Sequence, residues 1–155
     1  MLRYLAAAML AAAASAAAAQ ANEIDPLCKQ VLAPAEAEEL AGVKPLALVG
    51  PSQVRFATGT CNYATKVGGE KTLVLLVSVT RKSGEKEFDQ LKSVAIKPHT
   101  ADGLGDEAFT AEGVVGFRKG ETVVSLGSFV DQKTGKHRVA QTKLLELAKV
   151  LAARI

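Results

Sequence analysis

The stretch from Lys97 to Phe109, KPHTADGLGDEAF, gathers the residue types from which a hydrolytic or metal-assisted site is assembled. His99 is one of only two histidines in the chain, and Thr100, Asp102, Asp106 and Glu107 follow it closely. An imidazole with a neighbouring carboxylate is the usual pairing for moving a proton at neutral pH. The same groups are nitrogen and oxygen donors for a divalent cation. A small hydrolase or a metal-binding protein using His99 with Asp102 or Asp106 is therefore one class of function to weigh.

Several features count against it. Neither G-x-S-x-G nor H-E-x-x-H is present. A zinc site would need a second histidine or a thiolate from elsewhere. The other histidine, His137, lies in the Lys/Gly-rich segment KTGKHR, which reads as solvated. The glycines do not form a phosphate loop, because GLG lacks a third glycine and the strand-to-helix setting that aims amides at an anion. The preferred reading is a structural turn. Gly103 and Gly105 allow backbone angles closed to other residues, and Leu104 between them dips into the core. Asp106 then accepts backbone N–H groups, and Ala108 and Phe109 enter a strand. On this reading no catalytic, cofactor-binding or metal-ligating residue is assigned.

The elements that would position this turn can be read from periodicity. In IDPLCKQVLAPAEAEELAG, Asp25 reads as an N-cap and Pro26 as the first helical residue. Leu27, Cys28, Val31 and Leu32 share one face, Pro34 restarts the pattern, and Gly42 ends it, giving a short bent helix or helix pair. TCNYATKVGGEKTLVLLVSVTR reads as a hairpin turning at Gly68-Gly69. Cys61 and Tyr63 share a face of its first strand; Leu73, Leu75, Val77 and Val79 share a face of its second, with Val74 and Leu76 behind them. This second strand is expected to be central. Ser83 reads as the N-cap of a helix carrying Phe88, Leu91 and Ala95, closed by Pro98. A meander follows over residues 107–111, 114–118 and 122–130. From about Arg138, the residues Ala140, Leu144, Leu147, Ala148, Leu151 and Ile155 form the apolar stripe of a C-terminal helix. The order helix, strands, helix, strands, helix predicts an α+β domain: a twisted antiparallel sheet of about five to six strands with helices packed on it.

The N-terminus reads as an address. Arg3 is followed by an Ala/Leu/Met/Ser run from Leu5 to Ala19, and Ala19 and Ala21 fit the −3 and −1 positions of a signal-peptidase site. The run is too short and too alanine-rich for a membrane anchor, which needs roughly 20 strongly apolar residues. Cys28 lacks the small residues that would precede a lipid-accepting cysteine. Residues 1–21 are thus expected to be a signal peptide and residues 22–155 a single exported domain, periplasmic or secreted, with no membrane span after cleavage. Removing 21 of 155 residues leaves 134, enough for a core, and losing Arg3 lowers the net charge from +3 to +2. With no tryptophan, two tyrosines and no basic run, nucleic acid is a poor partner. In an exported chain the two cysteines, Cys28 and Cys61, are expected to form a disulfide; the alternative is a pair of buried thiols.

Taken together, CKQVLAPAEAEELAG, CNY, GLGDEA and FRKG give the mature chain its signature. It resembles a family of small secreted or lipid-anchored bacterial proteins of unknown function, whose two-cysteine domains are similar to extracytoplasmic sensor and PsbP-like α+β folds. The resemblance implies a Cys28–Cys61 pair and a structural role for Gly103 to Ala108, and brings no catalytic residues with it. The function expected is a non-enzymatic binding or accessory domain for an envelope protein or small ligand, without a cofactor. The alternatives are the hydrolase or metal-binding protein above and an envelope interaction or inhibitor protein.

Overall fold

A computed structural model describes residues 26–49, 54–55, 58–67 and 69–155. The expected signal peptide, the N-cap Asp25 and the turn residue Gly68 lie outside them. The class is α+β, as the periodicities predict, with more strands than expected.

Two short helices, α1 (Pro26–Val31) and α2 (Pro34–Ala41), open the domain. Pro34 starts α2, and Gly42 ends it at φ 71°, its amide donating to the Glu38 carbonyl. The strands are β1 (Ala47–Val49), β2 (Val54–Arg55), β3 (Thr58–Val67) and β4 (Glu70–Thr80). Helix α3 (Gly84–Val94) follows, then β5 (His99–Thr100), β6 (Glu107–Ala111), β7 (Val114–Lys119), β8 (Thr122–Ser128) and α4 (Gln141–Arg154). The sheet runs β1-β3-β4-β8-β7-β6-β5, with β2 also on β3, and every strand pairing among the described residues is antiparallel. The expectation of five to six strands fell short because β1, β2 and β5 span two or three residues, too few to show a period of two.

The sheet separates two cores. On one face α1, α2 and α4, with Leu32 from the link between the first two and Leu144, Leu147 and Leu151 from the last, cover Cys61, Tyr63, Leu75, Val77, Phe117, Val124 and Leu126. On the other, α3 lays Phe88 on Phe109, with ring centroids 5.7 Å apart, beside Ala111 and Val123. Gly116 leaves room for that contact, since a β-carbon there would lie 2.5 Å from the Phe109 ring.

Cys28 and Cys61 form the disulfide, with Cα atoms 5.4 Å apart, tying α1 to β3. On the chain-entropy model a loop of this length contributes roughly 3–4 kcal/mol. Beside it the buried Tyr63 hydroxyl donates to the Leu32 carbonyl at 2.7 Å. Burial pushes the phenol's pKa well above its ordinary value, so it serves as a neutral donor.

Two local expectations are corrected. The register shifts between Tyr63 and Ala64, so that Leu75 faces Tyr63 while Leu73 faces Ala64. The extra residue, Val74, is fully buried, and Leu73 turns outward instead of joining Leu75 and Val77. Ser83 occupies the N-cap position of α3 without a side-chain bond, at φ 56°. Its neighbour Gly84 sits so close to the β7–β8 turn that a β-carbon would come 2.5 Å from the Gly120 carbonyl. The Gly84 amide is capped from outside the helix by Glu121 Oε2 at 3.2 Å.

Candidate functional site

The loop from Ala101 to Asp106 closes against the β7–β8 turn. Gly103 and Gly105 take φ of 77° and 64°, and Leu104 between them is buried. At Gly105 a β-carbon would lie 2.3 Å from the Arg118 carbonyl, so the approach as well as the dihedral requires glycine. The Asp106 amide donates to that same carbonyl at 2.7 Å. Its carboxylate accepts the Gly120 amide at 2.7 Å and lies 3.4 Å from the Arg118 guanidinium, which also holds Glu107 at 3.0 Å. Asp106 and Glu107 are thereby committed to the backbone and to Arg118. His99 is exposed on the edge strand β5, opposite Thr110, and Asp102 is exposed in the loop. Among the described residues no three His, Cys, Asp or Glu side chains are placed to hold a metal ion.

A different group of residues converges at the opposite end of the sheet. The sequence DQKTGKHR (Asp131–Arg138) folds back on itself as a tight loop. Asp131 Oδ1 accepts the amides of Lys133 (2.9 Å) and Thr134 (3.1 Å). Gly135, at φ 68°, donates to the Asp131 carbonyl, and the Asp131 amide donates to the Lys136 carbonyl, each at 2.8 Å. Arg138 pairs with Asp131 Oδ2 at 3.0 Å. The Thr134 and Lys133 amides, aided by Arg138, hold the Asp131 carboxyl below its ordinary pKa.

His137 corrects the expectation of a solvated side chain. Its side chain is 25% exposed, and its Nδ1 lies 3.0 Å from the Ser128 carbonyl, to which a protonated Nδ1 donates. The ring fills the space above Gly113, where a β-carbon would lie 2.1 Å from it. Gly113 is fixed in turn, its amide donating to Gln141 Oε1 at 3.0 Å at the start of α4. Nε2 lies 3.9 Å from the exposed Glu112 carboxylate.

This loop roofs an open cavity of about 290 Å³. Val43, Val74 and Thr65 line it together with Asp131, Thr134, Lys136, His137 and Arg138. Apart from Tyr63, Thr65 is the one polar side chain buried among the described residues. Sequence reasoning missed the cavity. The Asp-x-Lys-Thr-Gly turn was a legible signal for the loop, but that Thr65 and Val74 would lie beneath it depends on the bulge in the β3–β4 pairing.

No family model, curated protein or solved structure matches this chain.

Proposed function

We propose that the chain is a non-enzymatic, exported binding domain whose ligand enters the cavity under the Asp131–Arg138 loop. The observation that carries this reading is the lining: a buried threonine, two aliphatic walls and the cations Lys136 and Arg138 around one opening. Asp131 is already neutralised by Arg138 and by two amides. Lys136 is the charge left over, so the ligand is a small molecule with a single anionic group. The volume suits it, being near the small end of the roughly 300–1,000 Å³ typical of ligand clefts. The disulfide supports an extracytoplasmic setting.

The test is a thermal-shift panel of small carboxylic acids, their amides and the matching amines. A ligand at about 100 times its Kd stabilises by about 2.7 kcal/mol, a readily measured rise in melting temperature. Acids are expected to stabilise the wild type and to lose that effect in Lys136→Gln and Thr65→Val. If only amines stabilise, the assigned charge is wrong. If nothing in the panel does, the cavity is not the site.

A further inference from the structure

The strand registers fix which residues share an end of the molecule. Leu76, Gly127, Val114 and Ala111 form one row across β4, β8, β7 and β6. Beyond that row, at the same end, stand the far part of the β3–β4 hairpin, the loop from Phe129 to Val139, and the Glu112-Gly113 turn. Helix α3 starts at the other end, where Gly84 meets Glu121. Its last residue and the segment that follows, Val94 to Pro98, therefore reach this end and lead into β5 beside Thr110.

All four large hydrophobic side chains exposed among the described residues are found here: Leu73 and Val130 at 39%, Val94 at 74% and Ile96 at 75%. Three of them have a local cause. The register shift turns Leu73 out. Ala95 packs inward on the α3 core in extended backbone, leaving Val94 and Ile96 to project on either side of it. Lys97 follows at φ 48°, a left-handed conformation that L side chains seldom adopt.

The charge at this end matches in sign. Lys66 and Lys71 face each other across the hairpin, and Lys97, Lys133 and Lys136 are exposed around the aliphatic tips. No ion pair among the described residues engages these five lysines. The acids here are Asp131, which Arg138 holds, and the exposed Glu70 and Glu112.

We propose that this end of the sheet is a docking surface for an anionic lipid bilayer. The aliphatic tips enter the boundary between headgroups and acyl chains, and the lysines meet the lipid phosphates. A protein interface is centred on a dry patch with aromatic or arginine anchors. Here the exposed large hydrophobics are all aliphatic, are carried on three separate segments, and alternate with lysines. A fluid surface accepts that arrangement because lipids rearrange around each tip. The docking does not require the cavity at this end to be occupied.

The chain has no tryptophan, so I96W supplies a single local fluorophore whose signal is independent of the apolar N-terminal run. K82W places the same reporter at an exposed position on the far end. Both are titrated with vesicles of phosphatidylcholine, alone or mixed with equal phosphatidylglycerol. I96W emission is expected to move to shorter wavelength with the anionic vesicles only, while K82W stays unchanged. Adding K66Q, K71Q and K133Q should weaken the I96W response by about tenfold or more. The proposal is overturned if I96W does not respond, responds equally to neutral vesicles, or responds no more than K82W. It is equally overturned if I96W shifts without vesicles as protein concentration rises, which would assign the surface to a second copy.

Discussion

The ring of His137 occupies the space that any side chain at position 113 would need, and this makes a loop and a distant turn one unit. Gly113→Ala is expected to destabilise by about 1–3 kcal/mol, through its positive φ and the displaced ring. Removing the ring in His137→Ala should then recover part of that loss, so the double mutant should be less unstable than the two single effects added together. Chemical denaturation of the four proteins measures the coupling; strict additivity would mean the ring does not constrain the turn. Residues of this kind differ in how far they can be read from sequence. GLGDEA was legible because positive φ writes glycine into the chain locally, and the following acid meets a turn's free amides. His137 was not, because the glycine that receives it belongs to another element. KTGKHR carries no trace of that partner.

Among the elements, α2 is strapped to α4 by Glu36 and Arg154, whose guanidinium also donates to the Val31 carbonyl at 3.2 Å. The hydrogen bond from Arg154 lowers the Glu36 pKa against the opposing effect of burial. A carboxyl depressed in the folded state adds stability that is fully present above its unfolded pKa and is lost as pH falls through the folded one. Asp131, lowered by its loop amides, acts in the same direction. Stability should therefore fall from about pH 5 downward. Glu36→Gln should flatten that fall and cost about 1 kcal/mol or less near neutrality, since the pair is partly exposed. Melting curves over a pH series check both. A wild-type curve independent of pH in this range would remove the strap from the account. At this scale the long elements were legible and their exact faces were not. The stripe of α4 and the meander β6-β7-β8 follow their periods, whereas one extra residue in β4 exchanged the environments of Leu73 and Val74.

For the molecule as a whole, the class was legible because helical and strand periods alternate along the chain, and tight turns force neighbouring strands to run antiparallel. The strand order was not. Nothing in the local pattern says that β4 joins β8 rather than β6, since that choice is made by the shared core on which α4 lies. The candidate site was illegible for the same reason. Its walls come from α2's exit, the β3–β4 hairpin and the last loop, which meet only after the two halves of the sheet have joined.

That joint has a kinetic meaning. The β3–β4 hairpin and the β6-β7-β8 meander are built from near neighbours, but β4 meets β8 by pairing Thr80 with Val123 and Leu75 with Ser128, 43 and 53 positions apart. Both halves contribute to the larger core, so neither can complete it alone. Chain entropy opposes such a closure until the buried contacts form together, which makes the zippering of β4 to β8 the expected slow step of folding. The reverse event, opening this seam, then amounts to losing the whole fold. Amide protons shared between β4 and β8 should exchange with solvent only through global unfolding, all with one common free energy, while those of β1 and β5 at the sheet edges escape through local fraying. Native-state hydrogen exchange resolves the two groups, and seam amides that exchanged as readily as the edges would show that the halves come apart without unfolding.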